Sequence, residues 1–169
     1  TGNWLVFDNG VPGNFRWGIS TVTTPPTQVY QGTNAAYMAR ETSFPAGQVV
    51  EDYLATPVFN VPTNGQLRFW TRGFFLGNQG TTYQVKVAPA VSDPTDPNSY
   101  LLVQQWTDTD LVTTISQYEE KVVDLTAYVG LDVRIAFVMQ QAPIAAPFGD
   151  RWFLDNVQVV AQCFDPTAL

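Results

Sequence analysis

The sequence predicts an all-β protein, and two observations carry this prediction. Apolar and polar residues alternate in short runs bounded by Gly, Pro or Asn, and helical periodicity is almost absent. The last third shows the pattern best, with β-like runs at residues 118–124, 133–139 and 152–160 around a compact turn and a Pro-rich loop. Many short strands in a single domain are typical of a sandwich or a barrel, and we predict a two-sheet antiparallel β-sandwich.

Ten segments have the alternation and the flanking turn residues of strands. They are residues 4–7, 16–23, 36–40, 53–59, 66–72, 83–88, 100–106, 118–124, 133–139 and 152–160. Residues 62–65 predict a turn, residues 93–97 a longer loop, and residues 125–130 a single helical turn ending at Gly130. At this length one domain is expected over residues 1–169, with a core of about 4–160 and a tail or linker at 161–169.

Alternation also predicts which side chains share a face of each strand. The predicted core set is Leu67, Phe69, Val85, Val87, Ile135, Phe137 and Leu154. The opposite faces carry half of the eight basic residues of the chain, together with one tryptophan. These residues are Arg68, Trp70, Arg72, Lys86 and Arg134.

Composition excludes several classes of function. A net charge of −7, from 8 basic and 15 acidic residues, repels phosphate backbones and argues against nucleic acid. The absence of histidine removes the Ser-His-Asp triad, the Cys-His dyad and the usual zinc ligands. No apolar run is long enough to span a membrane, so membrane insertion is not expected. The single Cys163 is either a buried small hydrophobe or the partner of a cysteine outside this chain.

The sequence offers no catalytic constellation. Glycoside hydrolysis needs two carboxyl groups about 5–9.5 Å apart across a cleft. The adjacent pairs Glu51–Asp52 and Glu119–Glu120 point to opposite faces of their strands, so neither pair can supply this arrangement. We therefore expect the chain not to be an enzyme.

An ordered set of motifs carries a family resemblance. Phe7–Asp8 is followed by EDYLATPVFNVPTNGQLRFWTR at residues 51–72 and by TYQVKVA at 82–88. VVDLTAYVGLDVRIAFVM then occupies residues 122–139, and WFLDNVQV occupies 152–159. Over residues 4–160 the chain resembles the cleaved-adhesin or choice-of-anchor J domains of bacterial surface and secreted proteins. Those domains are jelly-roll sandwiches, related in shape to MAM domains and to galactose-binding-like carbohydrate modules.

The resemblance implies an extracellular, non-catalytic adhesion or binding domain within a larger secreted bacterial protein. Its partners would be a glycan or an extracellular protein, together with neighbouring domains of the same chain. The alternative function is a purely structural spacer that flanks a catalytic domain such as a protease.

Related jelly rolls often hold a structural Ca²⁺ near the first and last strands, and this implies a calcium site. The matching positions are Asp8 and Asp155, with Glu41 or backbone carbonyls as further ligands. The alternative is that residues 8–10 form a simple turn and that Asp155 accepts backbone N–H groups at a strand bulge.

The polar strand faces suggest a ligand surface. Arg68, Trp70 and Arg72 alternate along one strand, so they project from the same side. The indole offers an apolar platform for a sugar ring, and the arginines offer paired donors to anionic groups. Lys86 and Arg134 join this surface only if their strands lie in the same sheet, which the sequence leaves open. The alternative is an ordinary solvated face whose cations pair with neighbouring carboxylates.

Overall fold

Two antiparallel sheets pack face to face in the computed structural model, which describes residues 3–24, 27–114, 116–142 and 149–162. The predicted all-β sandwich is therefore confirmed. Within these ranges the strands are β1 (Leu5–Asp8), β2 (Gly18–Ser20), β3 (Ala35–Met38), β4 (Val50–Ala55), β5 (Phe59–Asn60), β6 (Gly65–Arg72), β7 (Thr81–Pro89), β8 (Leu101–Thr107), β9 (Glu119–Asp124), β10 (Asp132–Gln141) and β11 (Trp152–Ala161).

Sheet A has the order β1-β4-β10-β7-β8, with β5 also pairing with β10, and sheet B has the order β2-β3-β11-β6-β9. Most neighbours within a sheet are distant in the sequence, because the chain crosses repeatedly between the two layers. This crossing is the jelly-roll arrangement, and it brings β1 beside β4 and β11 beside β3 and β6.

The predicted strands match the structure closely, with two differences. The segment predicted at 16–23 is a strand only over Gly18–Ser20. The segment at 53–59 is split into β4 and β5 around Pro57, which has no N–H group to continue a ladder. Thr56 still exchanges hydrogen bonds with Ile135 at this break. The predicted helical turn is present as the 3-10 helix Thr126–Tyr128, and Gly130 follows it with a φ of 75°.

The core between the sheets contains all seven predicted residues, and none of them is more than 2% exposed. Phe137 lies at its centre, with ring centroids 5.0 Å from Phe69 and 6.0 Å from Trp152. These contacts confirm the register assigned to β6, β7 and β10.

A second apolar cluster covers part of the outer face of sheet A, and the sequence did not predict it. Ala136 and Val138 alternate with the core residues of β10, yet both are fully buried. Tyr53 and Tyr100 lie over this face with ring centroids 5.8 Å apart. Tyr100 follows the 3-10 helix Pro97–Ser99, so the loop before β8 places this ring over the sheet.

Two further predictions bear on the ends of the chain and on membranes. Cys163 and most of the predicted tail at 161–169 lie outside the described residues. Among the described residues, no helix has the length and apolar character needed to cross a membrane.

Candidate functional site

The predicted ligand residues lie in two different sheets. Arg68, Trp70 and Arg72 belong to β6 in sheet B, whereas Lys86 and Arg134 belong to β7 and β10 in sheet A. All five alternate with core residues, so the two groups face outward on opposite sides of the sandwich. The structure therefore does not form one basic patch from these residues.

The two arginines of sheet B already have partners. Arg68 donates from Nε and Nη2 to the two carboxylate oxygens of Glu120, each at 2.9 Å. Arg72 is 1% exposed and donates to the carbonyls of Gly73 and Thr27. Burial lowers the pKa of Arg72, and its guanidinium lies over the ring of Phe153. Neither arginine presents the open donor array that the sequence suggested.

Trp70 is also covered on this face. The ring of Tyr30 stacks on it with a centroid distance of 4.1 Å and an interplanar angle of 11°. The predicted sugar platform is thus occupied by a side chain of the same protein. Local alternation could not reveal this contact, because Tyr30 is 40 residues away in the sequence.

Asp155 holds the segment that covers Trp70. Its Oδ2 accepts hydrogen bonds from the backbone N–H groups of Tyr30 and Gln31 at 2.9 and 3.1 Å. Its Oδ1 accepts one from the N–H of Asn156 at 2.7 Å. Asn156 has a φ of 48°, and the register between β11 and β6 shifts after Asp155. Asp155 therefore lies at a β-bulge and accepts backbone N–H groups, as predicted in the alternative to metal binding.

We expect Asp155→Ala to lower the free energy of unfolding by about 2–3 kcal/mol, because three backbone N–H groups lose their acceptor. Asp155→Asn is the matched control and should cost less, since an amide oxygen still accepts. Urea denaturation measures both values. Equal stability of Asp155→Ala and the parent protein would contradict this role.

The other two predicted calcium ligands lie together elsewhere. Burial raises the pKa of Glu41, and repulsion from Asp8 raises it further. Hydrogen bonds from the backbone N–H groups of Asn14 and Phe15 act in the opposite direction but do not cancel the increase. Asp8 accepts from the N–H of Gly10 and from Arg16, so residues 8–10 form the simple turn.

Asp52 completes this acidic group, and the sequence analysis missed it. It lies directly opposite Asp8 in the pairing of β1 with β4, and it is 4% exposed. Burial, with repulsion from Glu41 and Asp8, raises the pKa of Asp52 to about 8. No hydrogen bond to its carboxylate is found among the described residues.

The positions of these carboxylates bear on the predicted calcium site. The oxygen ligands of Asp8, Glu41 and Asp52 suit Ca²⁺ chemically. Asp155, however, is engaged on the outer face of sheet B, so the predicted set of Asp8, Asp155 and Glu41 does not assemble. In the described part of the chain, no three acidic, histidine or cysteine side chains are already arranged to hold a metal ion.

A polar groove of about 840 Å³ lies on the outer face of sheet A. We call it the sheet A groove, and its polar lining includes Asp8, Asn9, Glu51, Lys86, Asn98 and Gln140. Tyr53 and Tyr100 give it an aromatic wall. Of the predicted ligand residues only Lys86 contributes to it, while Arg134 donates to the carbonyl of Ala90.

Glu51 organises the polar part of the sheet A groove. It accepts hydrogen bonds from Lys86 Nζ at 3.1 Å to both oxygens, from the Tyr53 hydroxyl, and from Gln140 Nε2 at 2.7 Å. Burial raises the pKa of Glu51, but the Tyr53 hydrogen bond and the charge of Lys86 outweigh it and leave the pKa below its usual value. The carboxylate therefore stays ionised and fixes three neighbouring side chains.

Gln84 lies in the same face, beside this network. It occupies β7 two residues before Lys86, and it pairs with Val138, two residues before Gln140. The side chain is 6% exposed, yet its Oε1 is buried without a hydrogen-bond partner. Among the described residues it is the only side-chain polar atom that is completely shielded from solvent and has no hydrogen-bond partner.

A second, mostly apolar cleft of about 710 Å³ opens between the edge strands of the two sheets. Trp4 and Val6 line it from the β1 side, and Ile19 lines it from β2. Trp4 is 41% exposed and Ile19 is 73% exposed. We call this opening the edge cleft.

A buried pair of aspartates flanks Tyr83 at one end of the core. The Tyr83 hydroxyl lies 3.0 Å from Asp108 Oδ1 and 2.8 Å from Asp150 Oδ2. Burial raises the pKa of Asp150, although it also accepts from the N–H groups of Phe74, Phe75 and Arg151. Asp108 accepts from two backbone N–H groups as well. These bonds tie loops to β7, and Asp108 begins the short 3-10 helix Asp108–Asp110.

The fold and these surfaces define a jelly-roll module of the kind found in adhesins and in carbohydrate-binding modules. No family model matches the chain. Hemagglutinin A of Porphyromonas gingivalis is 27% identical over 150 residues, which cover 79% of this chain but 7% of that protein. The chain thus corresponds to a small part of this relative.

Solved adhesin and carbohydrate-binding domains share the fold of this chain. The K1 cleaved adhesin domain of Lys-gingipain from P. gingivalis W83 superposes with a TM-score of 0.61 at 20% identity, over 95% of this chain and 91% of that domain. The carbohydrate-binding module TmCBM61, solved with β-1,4-galactotriose, has a TM-score of 0.55 at 14% identity, over 94% and 88%. The predicted resemblance to cleaved-adhesin domains is confirmed.

Proposed function

We propose that the chain is a non-catalytic adhesion domain of a larger extracellular protein and that it binds glycans through the sheet A groove. The observation that carries this proposal is the set of polar groups around Glu51. Carboxylate, ammonium and carboxamide groups converge there beside aromatic rings. Sugar hydroxyls both donate and accept hydrogen bonds, so such a mixed set matches them better than an array of one kind.

The comparisons support this proposal. The relatives include a hemagglutinin and a cleaved adhesin domain, and one structural neighbour was solved with a galactose trisaccharide. Because the chain corresponds to 7% of hemagglutinin A, we place it within a larger surface or secreted protein, beside neighbouring domains. The proposal that it is non-catalytic rests on the sequence, which has no histidine and whose adjacent carboxylate pairs point to opposite faces of their strands.

Gln140→Ala is expected to weaken glycan binding about tenfold, because the variant loses an amide that lines the groove. Gln140 is partly exposed, so the truncation should leave the fold intact. A glycan array on the wild-type domain identifies the ligand, and titration calorimetry compares the variants. Gln158→Ala, on the exposed outer face of sheet B, is the matched control and should bind as the wild type does. Equal affinities of all three proteins would place the ligand elsewhere.

The alternative function, a structural spacer, is favoured by the edge cleft. Exposed apolar residues such as Ile19 and Trp4 suit contact with a neighbouring domain rather than with water. A blank glycan array on the wild-type domain, together with burial of these residues in a longer chain, would favour the spacer.

We also propose that Ca²⁺ binds Asp8, Glu41 and Asp52, in place of the predicted set that included Asp155, after these side chains rearrange from the positions described above, which do not form a metal site. Mutual repulsion within this group supports the proposal, because a divalent cation would relieve it. At pH 8 a chelator should lower the melting temperature and Ca²⁺ should restore it. The gain is about 2.7 kcal/mol at a free concentration of about 100 times Kd.

Asp52→Asn should weaken this response to Ca²⁺, and Asp155→Asn should retain it. Melting curves that coincide in chelator and in millimolar Ca²⁺ would rule out the calcium proposal.

A further inference from the structure

We infer that one end of sheet B is a second binding surface and that it takes an acidic segment of a partner protein. This surface is separate from the sheet A groove, and its ligand differs in chemistry from a neutral sugar. Two observations carry the inference. One is a group of arginines without carboxylate partners, and the other is an exposed apolar loop tip beside them.

The basic residues of the chain fall into two groups. Four of the eight form ion pairs with carboxylates, and these are Arg16, Arg68, Lys86 and Lys121. Three of the other four, Arg40, Arg72 and Arg151, lie over the rings of two adjacent phenylalanines. In the described part of the chain none of these three pairs with a carboxylate. A chain with 15 acidic residues thus leaves three arginines unpaired at one place.

The strand order brings these arginines together. β3, β11 and β6 are neighbours in sheet B and run antiparallel, so the end of β3, the start of β11 and the end of β6 meet. Arg40 follows β3, Arg151 precedes β11, and Arg72 ends β6. Phe74 and Phe75 follow in the loop between β6 and β7. We call these five residues the arginine cluster.

The two rings present the guanidinium groups of Arg40 and Arg151. The Cζ of Arg40 lies 4.6 Å from the ring centroid of Phe75, and the Cζ of Arg151 lies 4.7 Å from that of Phe74. A ring covers the face of a guanidinium group and leaves its N–H edge available. Both arginines are half-buried, and neither side chain makes a hydrogen bond to a described residue. Arg72 is buried and uses its donors internally, so it contributes charge alone.

The nearby carboxylates leave an excess of positive charge. Asp150 and Asp108 are both buried, and both lie within hydrogen-bond distance of the Tyr83 hydroxyl. Glu41 follows Arg40 in the sequence, but its carboxylate accepts from the backbone N–H groups of residues 14 and 15. Three guanidinium groups therefore oppose two buried carboxylates, and the positive groups are the ones that reach the surface. A bound anion would relieve the repulsion among them.

The apolar part of this surface favours a protein over a sulfated glycan. Leu76, directly after the two phenylalanines, is 87% exposed at the loop tip. Arginine beside aromatic and apolar side chains is typical of the residues that dominate protein interfaces. The planar edge of a guanidinium group also matches the planar carboxylate of Asp or Glu. The surface thus fits a segment that carries acidic residues next to an apolar one, whereas a sulfated sugar would gain little from Leu76.

The test compares two probe peptides, EELFEE and QQLFQQ, both amidated at the C-terminus and labelled with the same dye. Binding to the full chain is measured by fluorescence anisotropy at low and high salt. We expect the wild type to bind the Glu peptide at least about tenfold more tightly than the Gln peptide, with a preference that weakens as salt rises. A labelled heparin hexasaccharide represents the other kind of anion and should bind less tightly than the Glu peptide.

Arg40→Gln and Arg151→Gln should each weaken binding of the Glu peptide at least about tenfold. Arg40→Lys should restore only part of this loss, because an ammonium group cannot pair with both carboxylate oxygens in the same way. Arg68→Gln is the matched control, since it removes the same charge from the outer face of sheet B, and it should bind as the wild type does. Leu76→Ser should weaken binding about threefold at an unchanged melting temperature, because its side chain is exposed.

Several results would overturn the inference. They are equal binding of the two peptides, tighter binding of the heparin hexasaccharide, and an equal loss of affinity in Arg68→Gln and in the cluster variants. If an arginine variant melts at a lower temperature, Leu76→Ser decides, and unchanged binding by that variant also overturns the inference. Glycan binding in the sheet A groove is measured separately and stands or falls on its own result.

Discussion

Phe137→Ala is expected to lower the free energy of unfolding by about 3–5 kcal/mol, close to the range for truncating a large buried ring. Phe137 is fully buried and packs edge-to-face on Phe69 and on Trp152. Its partners belong to sheet B, whereas Phe137 lies in β10 of sheet A. The cavity would therefore open between the two layers, where the strands on either side resist collapse.

Urea denaturation at neutral pH measures this loss. Leu101→Ala is the control, since this side chain is 64% exposed and its truncation should change stability by less than about 0.5 kcal/mol. A loss below about 1 kcal/mol for Phe137→Ala would mean that the two sheets do not depend on this contact.

Asp52→Asn is expected to stabilise the protein at pH 8 and to change it little at pH 4. The pKa of Asp52 is raised from 3.8 to about 8, so between these values the folded state holds a proton that the unfolded state has released. Stability therefore falls as pH rises from about 4 to about 8. An amide cannot ionise, so the variant lacks this loss. The gain at pH 8 is at most on the order of 5 kcal/mol, at about 1.4 kcal/mol for each pKa unit.

Denaturation curves recorded in chelator from pH 4 to pH 8 measure this effect. Asp93→Asn is a control of opposite sign, because hydrogen bonds from Thr95 lower the pKa of Asp93. That carboxylate contributes stability above its unfolded pKa, and its variant should lose a little at neutral pH. Parallel pH profiles for wild type and Asp52→Asn would show that the Asp52 carboxyl is not held neutral by the fold.

The sequence predicted the fold well because strand alternation is a local property. The pattern at residues 66–72 places Leu67 and Phe69 inward without any knowledge of the partner strands, and the structure agrees. Pro57 interrupts a predicted strand, and its missing N–H group accounts for the break between β4 and β5. The second cluster under Tyr100 was not predictable in this way, because a loop supplies its cover.

The candidate site was predicted less well because it depends on contacts between distant residues. Trp70 and Arg72 have the alternation of an exposed face, but Tyr30 and the ring of Phe153 cover them. Lys86 was selected for its charge, yet the neighbours that give it a role are Glu51 and Tyr53 on β4. A rule that paired buried acids with buried bases on different strands of one sheet would need the strand order, which alternation alone does not provide.

The stack of Tyr30 on Trp70 makes this tryptophan an optical reporter of sheet B. Asp155 fastens the backbone at Tyr30 and Gln31, so detachment of this segment would carry the ring of Tyr30 away from Trp70. Such local opening needs far less free energy than global unfolding. The fluorescence of the wild type minus that of Trp70→Phe isolates the signal of Trp70. Changes in this signal would therefore follow the detachment of this segment while the sheet A groove on the opposite layer remains intact.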